Sequence, residues 1–593
     1  MSEQLRQKHL AAKSRTLCTL GLSARHFFLV VHLNIPLKYK SVLWSDYLCQ
    51  ARLAPKSCTI CTLGFGSSRT FLAIRFNIPL KYQSERNINP CQPKILIFSI
   101  QSIENVDINT KNPSHKENNM KILFVASEAM PFVRSGGLGD VAGSLPKAFN
   151  ALGHDCRVII PFYKEEIDEK YSDNFRFLSS TFVDLSWRRQ YCGVYEAVYD
   201  GVTYYFIDNE YYFKRKGLYG HFDDGERFAF FSKAVLEVLP IIDFYPDVLH
   251  ANDWHTALCP VFLDVFYRAS EEYQHIKTVF TIHNIEFQGK YGDNLITDIL
   301  GLPDWARPLV MNGDCVNYMK GGIESANAVT TVSETYANEI LDPFYSYGLE
   351  GILSNRRYKL HGVVNGIDQT VYNPKTDKRL FVNYSVKDYA KKKAENKKAL
   401  CEMINLPFDE HRPLVAMVSR LTEQKGLDLV GAVIDDVMRA DIQVIILGTG
   451  DWKYENMVRG VEGRYPSKFR AITAFSGDLA SKIYAASDIF LMPSKFEPCG
   501  LSQLIAMRYG SVPVVRETGG LKDTVPAFNP ETGEGKGFTF KTYNAYDMLD
   551  AIWRAYAQFS DKTNWDKVVK NGMNSNFGWD VSAKKYIDIY QNL

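Results

Sequence analysis

The stretch "KILFVASEAMPFVRSGGLGD" (residues 121–140) begins as an apolar strand and ends in a glycine loop that can start a helix. A second stretch, "SVPVVRETGGLKD" (residues 511–523), repeats this order in the other half of the chain. Glycines let a backbone approach another group closely, and free amides at a helix N-terminus suit phosphate. Two such loops predict that two domains bind one diphosphate-bearing ligand from both sides. A tight turn is the alternative interpretation of each Gly-Gly pair.

From residue 120 onward, both halves alternate short apolar runs with amphipathic segments. Runs rich in Val, Ile and Leu, separated by helical patterns, indicate parallel sheets covered on both faces. The strand candidates are "KILFVAS", "CRVIIPF", "VTYYFID", "PDVLHA", "KTVFTIH" and "NAVTTVS" in the first half, and "PLVAMVSR", "IQVIILGT", "FRAITAFS", "DIFLMPS" and "SVPVVRE" in the second. The sequence therefore predicts an α/β fold with two doubly wound domains, joined near residues 364–374. Ligands of such sheets bind beyond the carboxyl ends of the strands.

The composition is typical of a globular protein. The 593 residues are 46% hydrophobic and 23% charged, with a formal net charge of +2. This apolar content is enough for two large cores, and the near-neutral charge argues against a dedicated nucleic-acid binder. Eleven cysteines spread over this length indicate a reducing compartment. Cys58 and Cys61 form a lone C-x-x-C, which disfavours a zinc or redox role.

Residues 1–119 do not follow the alternating pattern. They contain a basic tandem repeat, residues 10–41 and 53–84, with few acidic residues. Two copies are too few for a solenoid, and "HFFLVVHLNIPL" is too short for a membrane span. We expect this extension to be disordered, or to be upstream sequence read from an early start codon, and to be dispensable. A transit peptide and a genuine extra domain are the alternatives.

A dinucleotide site is a further alternative, because "GLGDVAG" (residues 137–143) can be matched to a Rossmann fingerprint. The loop before it, residues 128–136, is longer than the tight turn of that fingerprint. No acidic residue follows "RVIIPFY" to bind a ribose. A nicotinamide enzyme is therefore disfavoured.

Several motifs carry a resemblance to a known family. They are "KILFVASEAMPFVRSGGLGDVAGSLPKAF", "HANDWHTAL", "TIHNIEFQG", "TTVSETYANEI", "YGLEGIL", "VVNGID", "VSRLTEQKGLDL" and "SKFEPCGLSQLIAMRYGSVPVVRETGGLKDTV". In order and spacing the chain resembles bacterial glycogen synthases and plant starch synthases, over residues 120–593 and none of residues 1–119. The resemblance implies the GT-B fold. Two Rossmann-like domains (residues 120–364 and 365–573) then face a cleft, and a final helix (residues 574–593) crosses back to the first domain.

The resemblance also implies an activity. Members of the family transfer glucose from ADP-glucose to the non-reducing end of an α-1,4-glucan such as glycogen, with retention (EC 2.4.1.21), and some plant members accept UDP-glucose. They need no metal, so no cofactor is expected, and neither is a nucleic-acid or membrane partner. The implied location is the cytoplasm, or a plastid if residues 1–119 are a transit peptide.

Two other functions remain open. One is another GT-B activity, such as sucrose-type or lipid glycosylation or sugar-nucleotide epimerisation. The other is a glucan-binding scaffold with a dead site. A dead site predicts the loss of Arg420, Lys425 or Glu497, and all three are present.

The chemistry needs cations near the leaving group. Breaking the bond between C1 of glucose and a phosphate oxygen builds negative charge on the diphosphate, which fixed cations and dipoles must stabilise when no metal is present. The resemblance assigns Arg420 and Lys425, five residues apart after a strand candidate, to this diphosphate. Surface charges at a helix start are the alternative. Backbone amides of both glycine loops are expected to complete the cradle, namely those of Gly136, Gly137, Gly519, Gly520 and Leu521.

The resemblance places Glu497 beside the sugar, where its charge would stabilise the positive ring. A retaining glycosidase would use two carboxylates about 5–5.5 Å apart. No sequence pattern supplies a nucleophile on the opposite face. The family's favoured route is front-face attack, in which the leaving phosphate helps to deprotonate the acceptor. Cys499 is expected near the substrate, with a buried structural cysteine as the alternative.

On the first-domain side, the resemblance places His283 against a glucose hydroxyl. It places Asp253 and Asn365 in the cleft for sugar or acceptor positioning. Asp140 is expected on the acceptor side, with a helix N-cap as the alternative. Arg134 stands where the family usually has a lysine that reaches the sugar nucleotide. Arginine keeps the charge but is a planar fork, so the geometry of this contact is expected to differ.

Overall fold

The computed structural model describes residues 119–593 and, within residues 1–118, the backbone of four strands. These are β1 (Leu17–Ser23), β2 (His26–His32), β3 (Cys58–Cys61) and β4 (Phe71–Phe76). They form an antiparallel sheet in the order β1-β2-β4-β3. The rest of residues 1–118, together with the side chains of Cys58 and Cys61, lies outside the described residues. The expectations for this extension therefore stay predictions.

The first domain is built on a nine-stranded sheet in the order β16-β15-β11-β10-β5-β6-β9-β8-β7. The strands are β5 (Lys121–Val125), β6 (Asp155–Pro161), β7 (Arg176–Leu185), β8 (Arg188–Tyr199), β9 (Val202–Asp208), β10 (Val248–Asn252), β11 (Lys277–Ile282), β15 (Ala328–Thr331) and β16 (Leu360–Gly362). Three short strands form a separate sheet: β12 (Lys290–Gly292), β13 (Met311–Asn312) and β14 (Cys315–Asn317).

Each strand candidate of the first half forms a strand, but the predicted all-parallel sheet is wrong at one edge. The strands from β16 to β9 pair in parallel, whereas β8 pairs antiparallel with both β9 and β7. Most residues of β7 are partly or fully exposed. An antiparallel edge can face solvent, so β7 lacks the continuous apolar run that marks a buried parallel strand.

The second domain has a fully parallel six-stranded sheet in the order β19-β18-β17-β20-β21-β22. Its strands are β17 (Leu414–Val418), β18 (Gln443–Leu447), β19 (Phe469–Ile472), β20 (Ile489–Met492), β21 (Val512–Arg516) and β22 (Phe538–Phe540). Five of these were strand candidates. Their side chains are almost all buried, because helices cover both faces of a parallel sheet.

Helices connect the strands of both sheets. In the first domain they are α1 (Gly137–Ala151), α2 (Glu210–Phe213), α3 (Asp224–Glu237), α4 (Leu258–Phe262), α5 (Glu271–Gln274), α6 (Arg307–Val310), α7 (Tyr318–Ser325), α8 (Glu334–Glu339), α9 (Pro343–Ser346) and α10 (Glu350–Asn355). In the second they are α11 (Tyr389–Met403), α12 (Leu427–Arg439), α13 (Trp452–Arg464), α14 (Gly477–Ala486), α15 (Ser502–Arg508), α16 (Gly519–Thr524), α17 (Ala545–Ser560) and α18 (Lys562–Met573). Short 3-10 or π turns span Glu169–Asn174, Leu263–Tyr267, Ile296–Leu300, Asp304–Ala306, Arg357–Lys359 and Glu423–Lys425. In the described part of the chain, no helix is long and apolar enough to cross a membrane.

The last helix, α19 (Trp579–Gln591), returns to the first domain. Its buried face, which includes Tyr586 and Tyr590, belongs to the core of residues 122–363, whereas residues 367–573 form the second core. The hydroxyl of Tyr590 lies 2.7 Å from Nδ1 of His250 in β10. The predicted GT-B arrangement, with a helix that crosses back, is confirmed.

Candidate active site

The strand order places the candidate residues at two switch points. In the second sheet successive strands are added on one side of β17 and then, from β20 onward, on its other side; in the first sheet the same reversal of strand order lies between β5 and β10. Arg420 and Lys425 follow β17, Glu497 follows β20, and Asp253 follows β10. Crevices outside the carboxyl ends of strands at such points are the usual ligand sites of doubly wound sheets.

Lys425 and Glu497 form the best-defined contact of the site. Nζ of Lys425 lies 2.6 Å from Oε2 of Glu497, and both side chains are largely buried. The hydroxyl of Ser494 donates to the same oxygen at 2.9 Å. Gly426 permits this approach, because a Cβ there would lie 2.3 Å from the carbonyl oxygen of Pro493. The Glu497 carboxylate is therefore held in one position by a cation and a hydroxyl.

Arg420 lies on the same loop and is exposed. Its Nη2 is 3.5 Å from Oε1 of Gln424, at the limit of a hydrogen bond. Within residues 119–593, no carboxylate forms an ion pair with it. Arg420 thus offers a guanidinium fork that an anion can bind in two places.

The second glycine loop differs from the prediction. The N–H of Gly519 donates to both carboxylate oxygens of Glu339 at 3.1 Å, and the N–H of Gly520 lies 3.2 Å from the carbonyl oxygen of Glu497. The N–H of Leu521 lies 3.1 Å from the carbonyl oxygen three residues earlier. All three amides have acceptors within the protein, so none is free for phosphate in this structure.

Close packing explains the two glycines instead. A Cβ at Gly519 would lie 2.0 Å from the carbonyl oxygen of Glu497, and a Cβ at Gly520 would lie 2.2 Å from that of Cys499. Real Cβ atoms do not approach backbone atoms this closely. The glycines therefore let this loop lie directly on the segment that carries Glu497.

Sequence analysis missed three amides on that segment. Among the described residues, no acceptor contacts the backbone N–H groups of Gly500, Leu501 and Ser502. They follow Glu497 by three to five residues, and Gly500 takes a left-handed φ of 73° that turns the chain. The glycine in "EPCGLS" was the available signal for such a turn.

The first glycine loop also has its own carboxylate. Buried Glu128 accepts hydrogen bonds from the N–H groups of Gly136 at 3.1 Å and Gly139 at 3.0 Å, and from the hydroxyl of Ser135. Glu128 thus satisfies the start of α1, a role that sequence analysis missed. No acceptor within the described chain contacts the N–H of Gly137, which is exposed.

Arg134 and Asp140 form an ion pair at 3.1 Å beside this loop. Asp140 is the fourth residue of α1, whose N-cap is Gly136, so the N-cap alternative is wrong. Burial raises the pKa of Asp140 to about 6, although Arg134 opposes the shift. Burial also raises the pKa of Tyr372, and the charges of Asp140 and Arg134 act on it in opposite directions. The pair therefore lies near the start of the second domain.

Asp253 and His283 are joined at the ends of β10 and β11. Oδ1 of Asp253 accepts the N–H of His283 at 2.7 Å, and burial raises the pKa of Asp253 to about 7. Nε2 of His283 lies 2.9 Å from Oδ1 of Asn252, whose amide nitrogen donates elsewhere. Nε2 therefore carries the hydrogen, and burial lowers the pKa of His283 to about 3. The imidazole is neutral and suits a hydroxyl partner.

Asn365 connects the domain link to the Glu497 segment. Burial raises the pKa of the Cys499 thiol to about 12, and the nearby backbone N–H of Asn365 opposes this shift. Cys499 also packs in the core of the first domain. A protonated, buried thiol favours the structural alternative over attack on the substrate. The Oδ1 atom of Asn365 is buried and has no hydrogen-bond partner among the described residues.

No metal site accompanies these groups in the part of the chain that the structure describes. No three His, Cys, Asp or Glu side chains there are arranged to bind a metal ion.

The raised pKa of Asp253 predicts a pH dependence of stability. Since its pKa of about 7 lies above the ordinary aspartate value of 3.8, the folded protein retains a proton that the unfolded chain releases between those pH values. The free energy of unfolding should therefore fall as pH rises through this window. Asp253→Asn never carries the charge, so we expect a weaker fall and a melting temperature about 1–3 °C higher at pH 8.

Asp184, an exposed carboxylate of β7, provides the control. Asp184→Asn should keep the wild-type pH slope, measured as melting temperature from pH 4 to pH 8. Identical slopes in Asp253→Asn and the wild type would contradict the assignment.

Comparisons with known proteins agree on one family. The model of the starch synthase catalytic domain matches residues 121–355, and that of glycosyl transferases group 1 matches residues 402–571. Glycogen synthase of Clostridium acetobutylicum is 50% identical over 478 residues, and that of Bacillus anthracis is 49% identical over 477 residues. Each match covers 80% of this chain and 100% of the relative.

Solved structures give the same result. The catalytic domain of starch synthase IV from Arabidopsis thaliana, bound to ADP and acarbose, matches with a TM-score of 0.74 and 33% identity. The match covers 80% of this chain and 99% of that one. Sucrose-phosphate synthase from Thermosynechococcus elongatus, at a TM-score of 0.50 and 15% identity, shares the fold alone. With relatives matched over their full length at about half identity, the chain belongs to the glycogen synthase and starch synthase family of GT-B glycosyltransferases.

Proposed function

We propose that the protein is a glycogen synthase that transfers glucose from ADP-glucose to the non-reducing end of an α-1,4-glucan, with retention. The observation that carries the proposal is the Lys425–Glu497 pair at 2.6 Å, with exposed Arg420 on the same loop. This cluster supplies cations for a leaving diphosphate and a carboxylate for the sugar. The relative solved with ADP and acarbose supports a nucleotide donor and a glucan-like acceptor.

Arg420 and Lys425 stabilise the departing diphosphate in this proposal. Negative charge develops on the phosphate oxygen as the bond to C1 breaks, and preorganised cations lower the energy of that state. The loop amides of Gly500, Leu501 and Ser502 replace the second glycine loop as the proposed backbone donors. They have no acceptor among the described residues, and they lie on the segment that carries Glu497.

The two sides of the crevice hold the sugar and the acceptor. Since Nε2–H of neutral His283 donates to Asn252, its Nδ1 accepts a hydrogen bond from a glucose hydroxyl, while Asp253 and Asn365 position the sugar or the acceptor. The unpartnered Oδ1 of Asn365 is a buried acceptor that a sugar hydroxyl would satisfy. In the first domain, Asp140 is assigned to the acceptor side, and its ion-pair partner Arg134 is assigned to the sugar nucleotide.

The acceptor's 4-hydroxyl attacks C1 from the face that the diphosphate leaves. Its proton passes to the departing phosphate, so a new C1–O4 bond replaces the C1–O bond of the donor. The Glu497 carboxylate is held in place by Lys425, and we assign it to stabilising the positive charge that develops on the sugar ring. No step uses a metal. Location in the cytoplasm, with a plastid as the alternative, remains a prediction.

One assay tests donor, acceptor and metal together. We expect the purified full chain to transfer labelled glucose from ADP-glucose to glycogen at the same rate, within about twofold, with and without EDTA. UDP-glucose should react more slowly in the same mixture. No transfer from either donor would contradict the proposed function, and loss of activity in EDTA that Mg²⁺ restores would contradict the metal-free mechanism.

A further inference from the structure

Two helices of different domains, α8 and α16, each provide a carboxylate that accepts a hydrogen bond from a backbone N–H of the other helix. Glu339, at the end of α8 in the first domain, accepts the N–H of Gly519 at the start of α16 in the second. Asp523 of α16 accepts the backbone N–H of Thr335, near the start of α8, at 2.9 Å. Each helix thus satisfies an amide in the first turn of the other, and the first-turn positive potential favours both carboxylates.

The contact of Glu339 continues to Glu497. The hydroxyl of Thr518 donates to Oε1 of Glu339 at 2.9 Å, which fixes the loop before α16. The next amide along this loop, that of Gly520, lies 3.2 Å from the carbonyl oxygen of Glu497. The carboxylate of Glu339 is therefore connected to the backbone of Glu497 through the loop of residues 518–520, by a hydrogen bond at each end of that loop.

A second contact from α8 reaches the same segment. The hydroxyl of Ser333, the N-cap of α8, donates to the carbonyl oxygen of Pro498 at 2.8 Å. The N–H of Gly520 also lies 3.1 Å from that oxygen. The carbonyl oxygen of Pro498, the residue after Glu497, therefore accepts hydrogen bonds from both domains.

Packing leaves this loop little freedom to move independently. At Gly519 and Gly520 the loop approaches the Glu497–Cys499 backbone more closely than any side chain would allow. A shift of the loop must therefore shift the segment below it, because no gap separates them.

We propose that Glu339 is a positioning residue for Glu497: by binding Thr518 and Gly519 across the domain boundary, it fixes the loop on which the Glu497 backbone rests. Glu339 does not touch the substrate. Its effect reaches the reaction only when the two domains are docked through α8 and α16. The Glu497 carboxylate therefore takes its reactive position only when the two domains are docked. This inference rests on the proposed function of the site.

Glu339→Ala should lower kcat by about 10- to 100-fold, the scale expected when a reacting group is misplaced by up to about 1 Å. KM values for ADP-glucose and glycogen should stay within about threefold, because Arg420, Lys425 and the first-domain residues remain. Glu334→Ala removes another carboxylate from the same helix and is the matched control. Glu334 is exposed and pairs with Lys585, so kcat should not change.

A double-mutant cycle separates positioning from a general loss of structure. Glu339→Ala and Thr518→Val remove two ends of one hydrogen bond, so the double variant should be little slower than Glu339→Ala alone. If Glu339→Ala melts below the assay temperature, isosteric Glu339→Gln takes its place in the assay and in the cycle. Wild-type kcat in the folded variant, or fully additive losses in the cycle, would overturn the proposal. An inactive wild type would instead count against the proposed function.

Discussion

Lys425→Ala and Arg420→Ala are each expected to lower kcat by about 10²–10³, the loss seen when one preorganised charge stabiliser is removed. Both cations lie on the loop after β17, and the proposal gives them the same role toward the diphosphate. Affinity for glycogen should hardly change, because the proposed acceptor site lies on the first-domain side. Initial rates with ADP-glucose, together with glycogen binding, measure both quantities.

The melting temperature should distinguish Lys425→Ala from Arg420→Ala. Lys425 is largely buried against Glu497, so its removal leaves a carboxylate of 8% exposure without its cation. Breaking such a buried pair costs about 3–5 kcal/mol, and the Ser494 hydroxyl offsets only part of this. Arg420 is exposed and unpaired within the described residues, so Arg420→Ala should melt like the wild type.

Lys453→Ala is the control for both variants. Lys453 is exposed, and its nearest carboxylate oxygen, on Glu423, is 3.9 Å away. Its removal should change neither kcat nor melting temperature. Near-normal turnover in Arg420→Ala and Lys425→Ala would contradict the assignment of the leaving-group site.

The fold could be predicted because its signals are local. A parallel strand buried on both faces is a short run of apolar residues, such as "IQVIILGT", and β18 lies within that run. The edge strand β7 could not be predicted in this way, because most of its side chains contact solvent. Its place depends on pairing with β8, a property of the hairpin that a single run does not contain.

The positions of site residues were also predictable, whereas their contacts were not. Arg420, Lys425 and Glu497 each follow a buried strand, so they lie at one edge of the sheet. The 2.6 Å contact of Lys425 with Glu497 joins residues 72 apart in sequence, which no local pattern reveals. Gly519 shows the same limit, since its acceptor, Glu339, lies 180 residues earlier.

The glycine loops illustrate the limit most clearly. A Gly-Gly pair predicts that the backbone approaches something closely, and this is true of the second loop only. At the first loop, a Cβ at Gly136 would lie 3.7 Å from Oε1 of Glu128, and one at Gly137 would meet no atom within 4 Å. The sequence does not say what is approached. At the second loop the neighbour is the protein's own Glu497–Cys499 backbone, and the amides that a phosphate would need are bonded to protein atoms.

Gly520→Ala should therefore act on the protein before any ligand binds. The new Cβ would lie 2.2 Å from the carbonyl oxygen and 2.5 Å from the Cα of Cys499. These are backbone atoms, so no rotamer change relieves the overlap and the two loops must separate. We expect a loss of roughly 1–3 kcal/mol in the free energy of unfolding, as for other overpacked sites. We also expect kcat to fall about 10²-fold, because Glu497 moves with its loop.

The same substitution distinguishes packing from phosphate binding. Gly460→Ala is the control, because a Cβ there meets no atom within 4 Å in α13. It should leave activity unchanged and stabilise the protein by about 0.5–1 kcal/mol. Melting temperature without ligand and the Kd for ADP are measured for both variants. A phosphate cradle at Gly520 would give an unchanged melting temperature and a weaker Kd. Packing requires a lower melting temperature in the absence of ADP, because the overlap with Cys499 exists whether or not the site is filled.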